Sequence, residues 1–396
     1  MNSFVQSQSF GLKHQFGVYA MGAAKRYPLL PTNYADMVAA AREKMSPAAF
    51  GYIAGGAGGE TTMANNRRAL DDWQIIPRML RDISRRDIST ELFGQRYTSP
   101  IVFGPVGVLG IAHPQAELAV AAAAKKLGII QTCSTVSSHS LEAVAEANGS
   151  NPHWFQLYWG ENHDLTRSLL SRAEATGYSA IVVTLDTPLL AWREKDIDNA
   201  YLPFLQEKGL ENYYSDPVFR ELVGEDPATN PAKAFSCFTR VFTGPSLTWE
   251  DLKVIRSHTS LPIILKGIQS VEDARIALEY GVDGILVSNH GGRQVDGAVG
   301  SFDVLGEIAH AVGDEATILF DSGIRRGADV FKAMALGASA VCVARPYAFA
   351  LALGGARGVR EWAANLLADT ELTMALAGCS SWQEVSPDNL RQVQRN

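Results

Sequence analysis

Eight short apolar runs, each closing on a polar residue or a glycine, limit this fold more than any other feature of the chain. They end near Gly107, Ser134, Tyr158, Asp186, Lys266, His290, Ser322 and Arg345. Successive ends lie 23–32 residues apart, apart from one interval of 80 between Asp186 and Lys266. The shorter spacing holds one helix and two loops, the repeat of a parallel βα sheet, so the long interval must carry an insertion. Between the runs, residues 117–127, 165–176, 249–257, 271–280 and 328–336 repeat apolar side chains at three and four. Gly128, Gly177, Gly281 and Gly337 follow, where a left-handed residue would end each helix. Thr248 and Ser270 stand at N-cap positions, each with carboxylates two and three residues on. Eight such units predict an α/β fold, a (β/α)8 TIM barrel. An open doubly wound sheet is the alternative, since periodicity does not show closure.

Ahead of the first run, residues 35–44 and 48–53 read as helices that lead into the glycine-rich segment 54–59. That segment neither follows a strand nor ends in Lys-Ser/Thr, so it reads as a helix breaker and not as a phosphate loop. The insertion, residues 201–244, mixes proline, aromatic and acidic residues without a basic amphipathic helix. A lid over a pocket is expected there, not a membrane anchor.

With 46% hydrophobic residues among 396, the chain can bury a large core. A formal charge of −7 argues against sequence-independent nucleic-acid binding and leaves a small molecule as the expected partner. Cys133, Cys237, Cys342 and Cys379 lack zinc-like or CxxC spacing. Free thiols in a reducing cytoplasm, with no metal site, are therefore expected. No run approaches the roughly 18 apolar residues of a membrane span. The first 35 residues lack the compact apolar core of a signal peptide, and the closing Gln394-Arg395-Asn396 is not a peroxisomal address.

A closed parallel barrel gathers the C-terminal ends of its strands at one face. On that rim would stand Ser134, Gln156, Tyr158, Thr184, Asp186, Lys266, His290, Arg293, Asp321, Arg325 and Arg345, more hydrogen-bonding side chains than a purely structural barrel needs. His290 is a potential base, and Arg293 a fixed cation on the same loop. Ile324-Arg325-Arg326-Gly327 and Ala344-Arg345-Pro346 fall after the last two strands, where such barrels bind phosphate. A phosphate-bearing cofactor is the expected occupant; pairing of these arginines with surface carboxylates is the alternative.

Five segments in order, Phe155-Gln156-Leu157-Tyr158, Thr184-Leu185-Asp186-Thr187-Pro188, Leu265-Lys266-Gly267, Ser288-Asn289-His290-Gly291-Gly292-Arg293-Gln294 and Asp321-Ser322-Gly323-Ile324-Arg325-Arg326-Gly327, resemble the FMN-dependent 2-hydroxy acid oxidase and dehydrogenase family. The resemblance runs over residues 34–385, leaving 1–33 as an N-terminal arm and 386–396 as a C-terminal tail. Residues 192–196 and 212–219, with the long insertion, resemble the lactate 2-monooxygenases of that family. These would oxidise L-lactate with O2 to acetate, CO2 and water; the alternative is an oxidase that releases pyruvate and H2O2. Such enzymes are homotetramers or octamers, which implies a homo-oligomer without membrane or nucleic-acid partners.

Carried over by that resemblance, His290 would take the substrate hydroxyl proton and Asp186 would stabilise the imidazolium. Arg193 and Arg293 would clamp the carboxylate, with Tyr52 beside it and Tyr158 near the hydroxyl. Val106, Gly107, Ser134, Gln156, Thr184 and Ser288 would face the flavin ring, and Lys266 would counter the charge of its reduced form. Asp321 would reach the ribityl chain, and Gly323, Arg325, Ala344 and Arg345 would hold the phosphate. Gly107 replaces an alanine common in the oxidases, so more room is expected near the flavin. Ala344 replaces a frequent glycine, which a negative φ would allow.

Overall fold

The eight runs form strands in the computed structural model: β1 Ile101–Phe103, β2 Ile130–Ser134, β3 His153–Tyr158, β4 Ile181–Thr184, β5 Ile263–Ile268, β6 Gly284–Val287, β7 Thr317–Phe320 and β8 Ala340–Val343. All neighbours are parallel and in chain order. β8 returns to β1 through Ile101↔Val341, Val102↔Cys342 and Phe103↔Val343, so the sheet closes and the (β/α)8 barrel is decided over the open sheet. The structure describes residues 10–393. The first nine residues of the expected arm and the last three of the tail, the closing tripeptide, lie outside the described residues.

Strand alternation explains where polar side chains gather. Val102, Trp154, Val182, Ile264, Leu286, Leu319 and Cys342 fill the barrel interior as one apolar cluster, with Phe93, from the turn of a hairpin (Thr90–Leu92 with Gln95–Tyr97), packed against it. Two residues further along three strands, on the same face, come Gln156, Lys266 and Thr184. The intervening residues Phe155, Leu157, Ile181, Val183, Ile263 and Leu265 belong to the layer under the helices. The interior is thus apolar below and polar at the rim.

Local signals at the helix ends hold. Gly128, Gly177, Gly281 and Gly337 all have positive φ, and Ser270 Oγ accepts from the backbone N–H of Asp273 at 3.0 Å. The strand ends are less regular than the sequence implies, since Gly107, Asp186, His290, Ser322 and Arg345 lie two to four residues past their strands. There the backbone leaves the ladder, which frees those residues to bond to neighbouring loops. All four cysteines are buried and unpaired. Among the described residues, no helix is long and apolar enough to cross a membrane.

The helix Phe10–Ala23 packs on the second part of the C-terminal helical segment Arg345–Leu376, which is broken at Gly354 and Gly355; there Gly11 N–H donates to Glu371 Oε2 at 2.8 Å and His14 Nε2 lies 2.7 Å from Asn365 Oδ1. Leu390–Gln392 pairs antiparallel with Trp73–Ile75, so this part of the tail is a strand. Within the insertion lie helices Glu211–Tyr214, Pro217–Val223 and Pro231–Val241. They are docked on the barrel by a buried Asn212. Its amide donates to Ser134 O, Thr135 O and Ser137 Oγ at 2.9–3.2 Å, and its oxygen accepts from Leu141 N–H at 2.7 Å. Arg172 adds bonds to Asp216 at 2.9 Å and Glu142 at 2.8 Å.

Glu117 looks in sequence like an ordinary first-turn acid of the helix Ala116–Leu127, yet it is buried. Oε1 accepts from Ser138 N–H at 3.0 Å and Oε2 has no partner. Burial pushes its pKa up to about 7. Below about pH 4.5 native and unfolded carboxyls are both protonated. From there to about 7 the native state keeps a proton the unfolded chain loses, so this residue's contribution to stability falls as pH rises. Glu117→Gln should therefore gain on the wild type by up to about 3 kcal/mol between pH 5 and pH 8, read from denaturant melts at both values.

Candidate active site

The loops after β4 and β6 and the end of β5 bring three titratable groups together. His290 Nδ1 lies 2.6 Å from Asp186 Oδ1, and Lys266 Nζ lies 2.9 Å from Asp186 Oδ2. Asp186 accepts from both, which places the imidazole proton on Nδ1 and leaves Nε2 as the basic nitrogen. Lys266 Nζ is also 3.2 Å from Nδ1, but two donors do not bond, so its partner is the carboxylate. Gly267 permits this approach: a Cβ there would meet Asp186 Cβ at 2.7 Å, and its φ is +113°.

Burial opposes ionisation of Asp186, but the charges and hydrogen bonds of His290 and Lys266 outweigh it and hold the carboxyl well below its ordinary range. Burial brings His290 down to about 4, with Asp186 resisting and Lys266 adding to the fall. The imidazole is therefore neutral at rest, ready to accept a proton, beside a carboxylate that favours the protonated product. Burial also acts to lower Lys266, while Asp186 and Asp321 raise it beyond compensation.

His290 stands at φ +57°, uncommon for a residue with a side chain. Its N–H donates to Ser288 Oγ at 3.1 Å, and the N–H groups of Asn289 and Gly291 donate to Ser322 Oγ at 3.3 and 3.0 Å. Asn289 exchanges two amide bonds with Asn66 at 2.7 and 2.8 Å, and its Oδ1 accepts from Gly292 N–H at 3.0 Å.

A cavity of about 380 Å³ opens at this rim. Tyr52, Val106, Gly107, Tyr158, Arg193, Lys266, His290, Arg293, Asp321, Gly323, Arg325, Ala344 and Arg345 line it. Asp186, Ser134, Gln156, Thr184 and Ser288 are not among the lining residues, and the last four are buried. Arg193 Nη2 donates to Gln294 Oε1 at 2.8 Å and Nε to Arg293 O at 3.1 Å. Arg293 Nη1 donates to the carbonyls of Tyr52 and Gly55 at 2.6 and 2.9 Å, with its guanidinium 5.0 Å over the Tyr52 ring. Burial, and then the Arg193 charge, bring Arg293 down to about 9. Asp196 Oδ2 lies 3.9 Å from Arg193 Nη1, but the hydrogen bonds of both guanidiniums go to uncharged acceptors, which suits a carboxylate that relieves both effects. Burial pushes the Tyr158 hydroxyl up to about 12, so it stays protonated and can donate.

Arg345 bonds to the carbonyls of Ile53, Gly55 and Gly291 at 2.8–3.1 Å, and Arg325 lies 4.3 Å over the Tyr34 ring. The glycine segment 54–59 does end the helix Pro47–Ala54, as expected, and beyond that its Gly55 carbonyl accepts from both Arg293 and Arg345. Ala344 has φ −132°, so its methyl group is tolerated. The expectation for Gly107 is corrected. A Cβ there would meet Val136 Cγ2 at 2.5 Å, so the missing methyl leaves no open space; Val136 already fills it.

The sequence pattern of FMN-dependent dehydrogenase matches residues 41–392. The chain belongs to that family. It is 44% identical to an FMN-dependent alpha-hydroxy acid dehydrogenase of Penicillium citrinum over 97% of this chain and 96% of that one. It is also 44% identical to an L-lactate oxidase of Lysinibacillus sphaericus, over 89% and 90%. Crystalline mandelate oxidase with (S)-4-hydroxymandelic acid superposes with a TM-score of 0.81 at 40% identity, covering 91% of this chain and 98% of that one.

FMN is the family's cofactor, and the residues here fit it. Gln156 Nε2 and Thr184 Oγ1 are buried polar atoms without partners, which an amide-rich ring system can satisfy. The loops after β7 and β8 add the Arg325 and Arg345 cations for a phosphate. Sequence reasoning missed Thr187, whose Oγ1 lies 3.1 Å from Asp186 Oδ1 and 3.2 Å from His290 Nδ1, although it stands in a quoted segment. It also missed Val136, Phe204 and Phe242 on the cavity wall, for which a single sequence holds no signal.

Proposed function

We propose that this member of the FMN-dependent family oxidises L-lactate or a near analogue with O2, yielding acetate, CO2 and water. The observation that carries the reading is the pair of guanidiniums, Arg193 and Arg293, on the same cavity wall as the neutral His290 backed by Asp186. The guanidiniums and Tyr52 hold the carboxylate, Tyr158 donates to the substrate oxygen, and His290 Nε2 takes the hydroxyl proton while Asp186 balances the new charge. Ser134, Gln156, Thr184, Lys266 and Ser288 hold the flavin ring, with Asp321, Gly323, Arg325, Ala344 and Arg345 on the ribityl phosphate. Bound FMN supplies a two-electron acceptor that O2 re-oxidises.

Decarboxylation requires the keto acid to stay while peroxide forms. The insertion docked by Asn212 and contributing Phe204 and Phe242 to the wall supports such retention. The second reading, an oxidase releasing pyruvate and H2O2, is supported by the lactate oxidase among its relatives. Aerobic turnover with lactate separates them: acetate matching lactate consumed supports the first, and stoichiometric H2O2 the second.

A further inference from the structure

Asp186 receives a third donor besides the two described above. Thr187 Oγ1 lies 3.1 Å from Asp186 Oδ1, the oxygen that also accepts from His290 Nδ1 at 2.6 Å, while Oδ2 is taken by Lys266 at 2.9 Å. The hydroxyl is 3.2 Å from Nδ1 as well, but that nitrogen carries its own proton and cannot accept. Thr187 therefore donates to Oδ1 and shares it with the imidazole. Its side chain is buried at the cavity wall. Two local features fix its aim: branching at Cβ restricts χ1, and the following Pro188 keeps the backbone of Thr187 out of the helical region.

We propose that Thr187 is a positioning residue that loosens the hold of Asp186 on the imidazolium, so that the base both takes its proton and gives it up; this rests on the role given to His290 above. A carboxylate oxygen with a single donor concentrates its charge on that donor, and a second donor divides it. Burial, Lys266 and Arg193 disfavour a proton on His290, and Asp186 favours it. Tyr158, near both Asp186 and Lys266, stays protonated, and Asp321 acts on Lys266. Thr187 differs from all of these in carrying no charge. Valine in its place removes one hydrogen bond and leaves the charges, and nearly all of the packing, as they are. Oδ1 keeps the imidazole as its partner, so no buried acceptor is orphaned.

The test measures kcat/KM for L-lactate against pH with the FMN-loaded enzyme and the variants Thr187→Val, Thr187→Ala and Thr187→Ser. Ionisation of lactate itself is common to all of them, so differences between the profiles belong to the protein. The acid limb of the wild type falls through about 4. In Thr187→Val it should lie about one pH unit higher, the scale of one hydrogen bond to a charged group, whereas Thr187→Ser, which keeps the hydroxyl and drops the methyl, should keep the wild-type limb. KM for lactate above the limb should stay within about twofold of the wild type in every variant, because the guanidiniums are untouched. Should Thr187→Val not fold, Thr187→Ala carries the same expectation. A limb at or below the wild-type position in the variants without the hydroxyl would overturn the role. So would a limb displaced in Thr187→Ser as far as in Thr187→Val, which would trace the effect to packing. A wild type that does not oxidise lactate would instead overturn the substrate reading, and the role of Thr187 with it.

Discussion

Replacing His290 with glutamine should cut the rate of substrate oxidation by about 10²–10⁴-fold, the usual worth of a positioned general base. The amide can hydrogen bond but cannot take up a proton, so the flavin should bleach correspondingly more slowly when lactate is mixed anaerobically. FMN content should be unchanged, because His290 lies beside the carboxylate clamp and not among the ring or phosphate contacts. The wild-type pH profile adds a second check. Burial and Lys266 bring the imidazole down to about 4, so it stays a base throughout the neutral range. kcat/KM should be level from pH 6 upward as far as this group is concerned, and fall as pH drops through about 4. A break near 6.5 would contradict the burial argument. Bleaching by the glutamine variant at the wild-type rate would remove His290 from the chemistry.

Arg293→Met is the second large effect. Two charge-assisted bonds at about 1.5–3 kcal/mol each predict a loss of roughly 10²–10⁴ in kcat/KM for lactate, expressed chiefly in KM. Arg293→Lys should recover only part of it. An ammonium keeps the charge but cannot reach the carbonyls of Tyr52 and Gly55 and still offer two parallel donors to a carboxylate. Kd for pyruvate, measured without turnover, should rise in each variant in step with its own loss, less in Arg293→Lys than in Arg293→Met. An unchanged KM in Arg293→Met would exclude it from the carboxylate site.

The barrel was legible because apolar runs recur at the spacing of a βα unit and each helix end carries its own stop, as at Gly128 or Gly281. The rim was legible for a related reason: polar residues such as Gln156, Thr184 and Lys266 interrupt otherwise apolar strands at the interior-facing positions. What could not be read depends on contacts between distant segments. Nothing near Glu117 in sequence announces its burial against the Ser138 loop, and nothing near Gly107 announces that Val136 takes the space of the absent methyl. Residues 54–59 show why local reading stops short. Their glycines do break a helix, but their carbonyl bonds to Arg293 and Arg345 cross more than 200 residues of chain. The insertion was visible as an interval, while the placing of Phe204 and Phe242 on the cavity wall depends on how Asn212 docks it.

The left-handed backbone at His290 has a practical meaning for anyone rebuilding this chemistry elsewhere. The reach of the imidazole is set by a turn whose glycines at 291 and 292 also have positive φ, at +64° and +74°, braced by Ser322 and the Asn66–Asn289 pair. Transplanting the histidine and its carboxylate alone onto another scaffold would misplace Nε2; the portable unit is the whole turn with its braces.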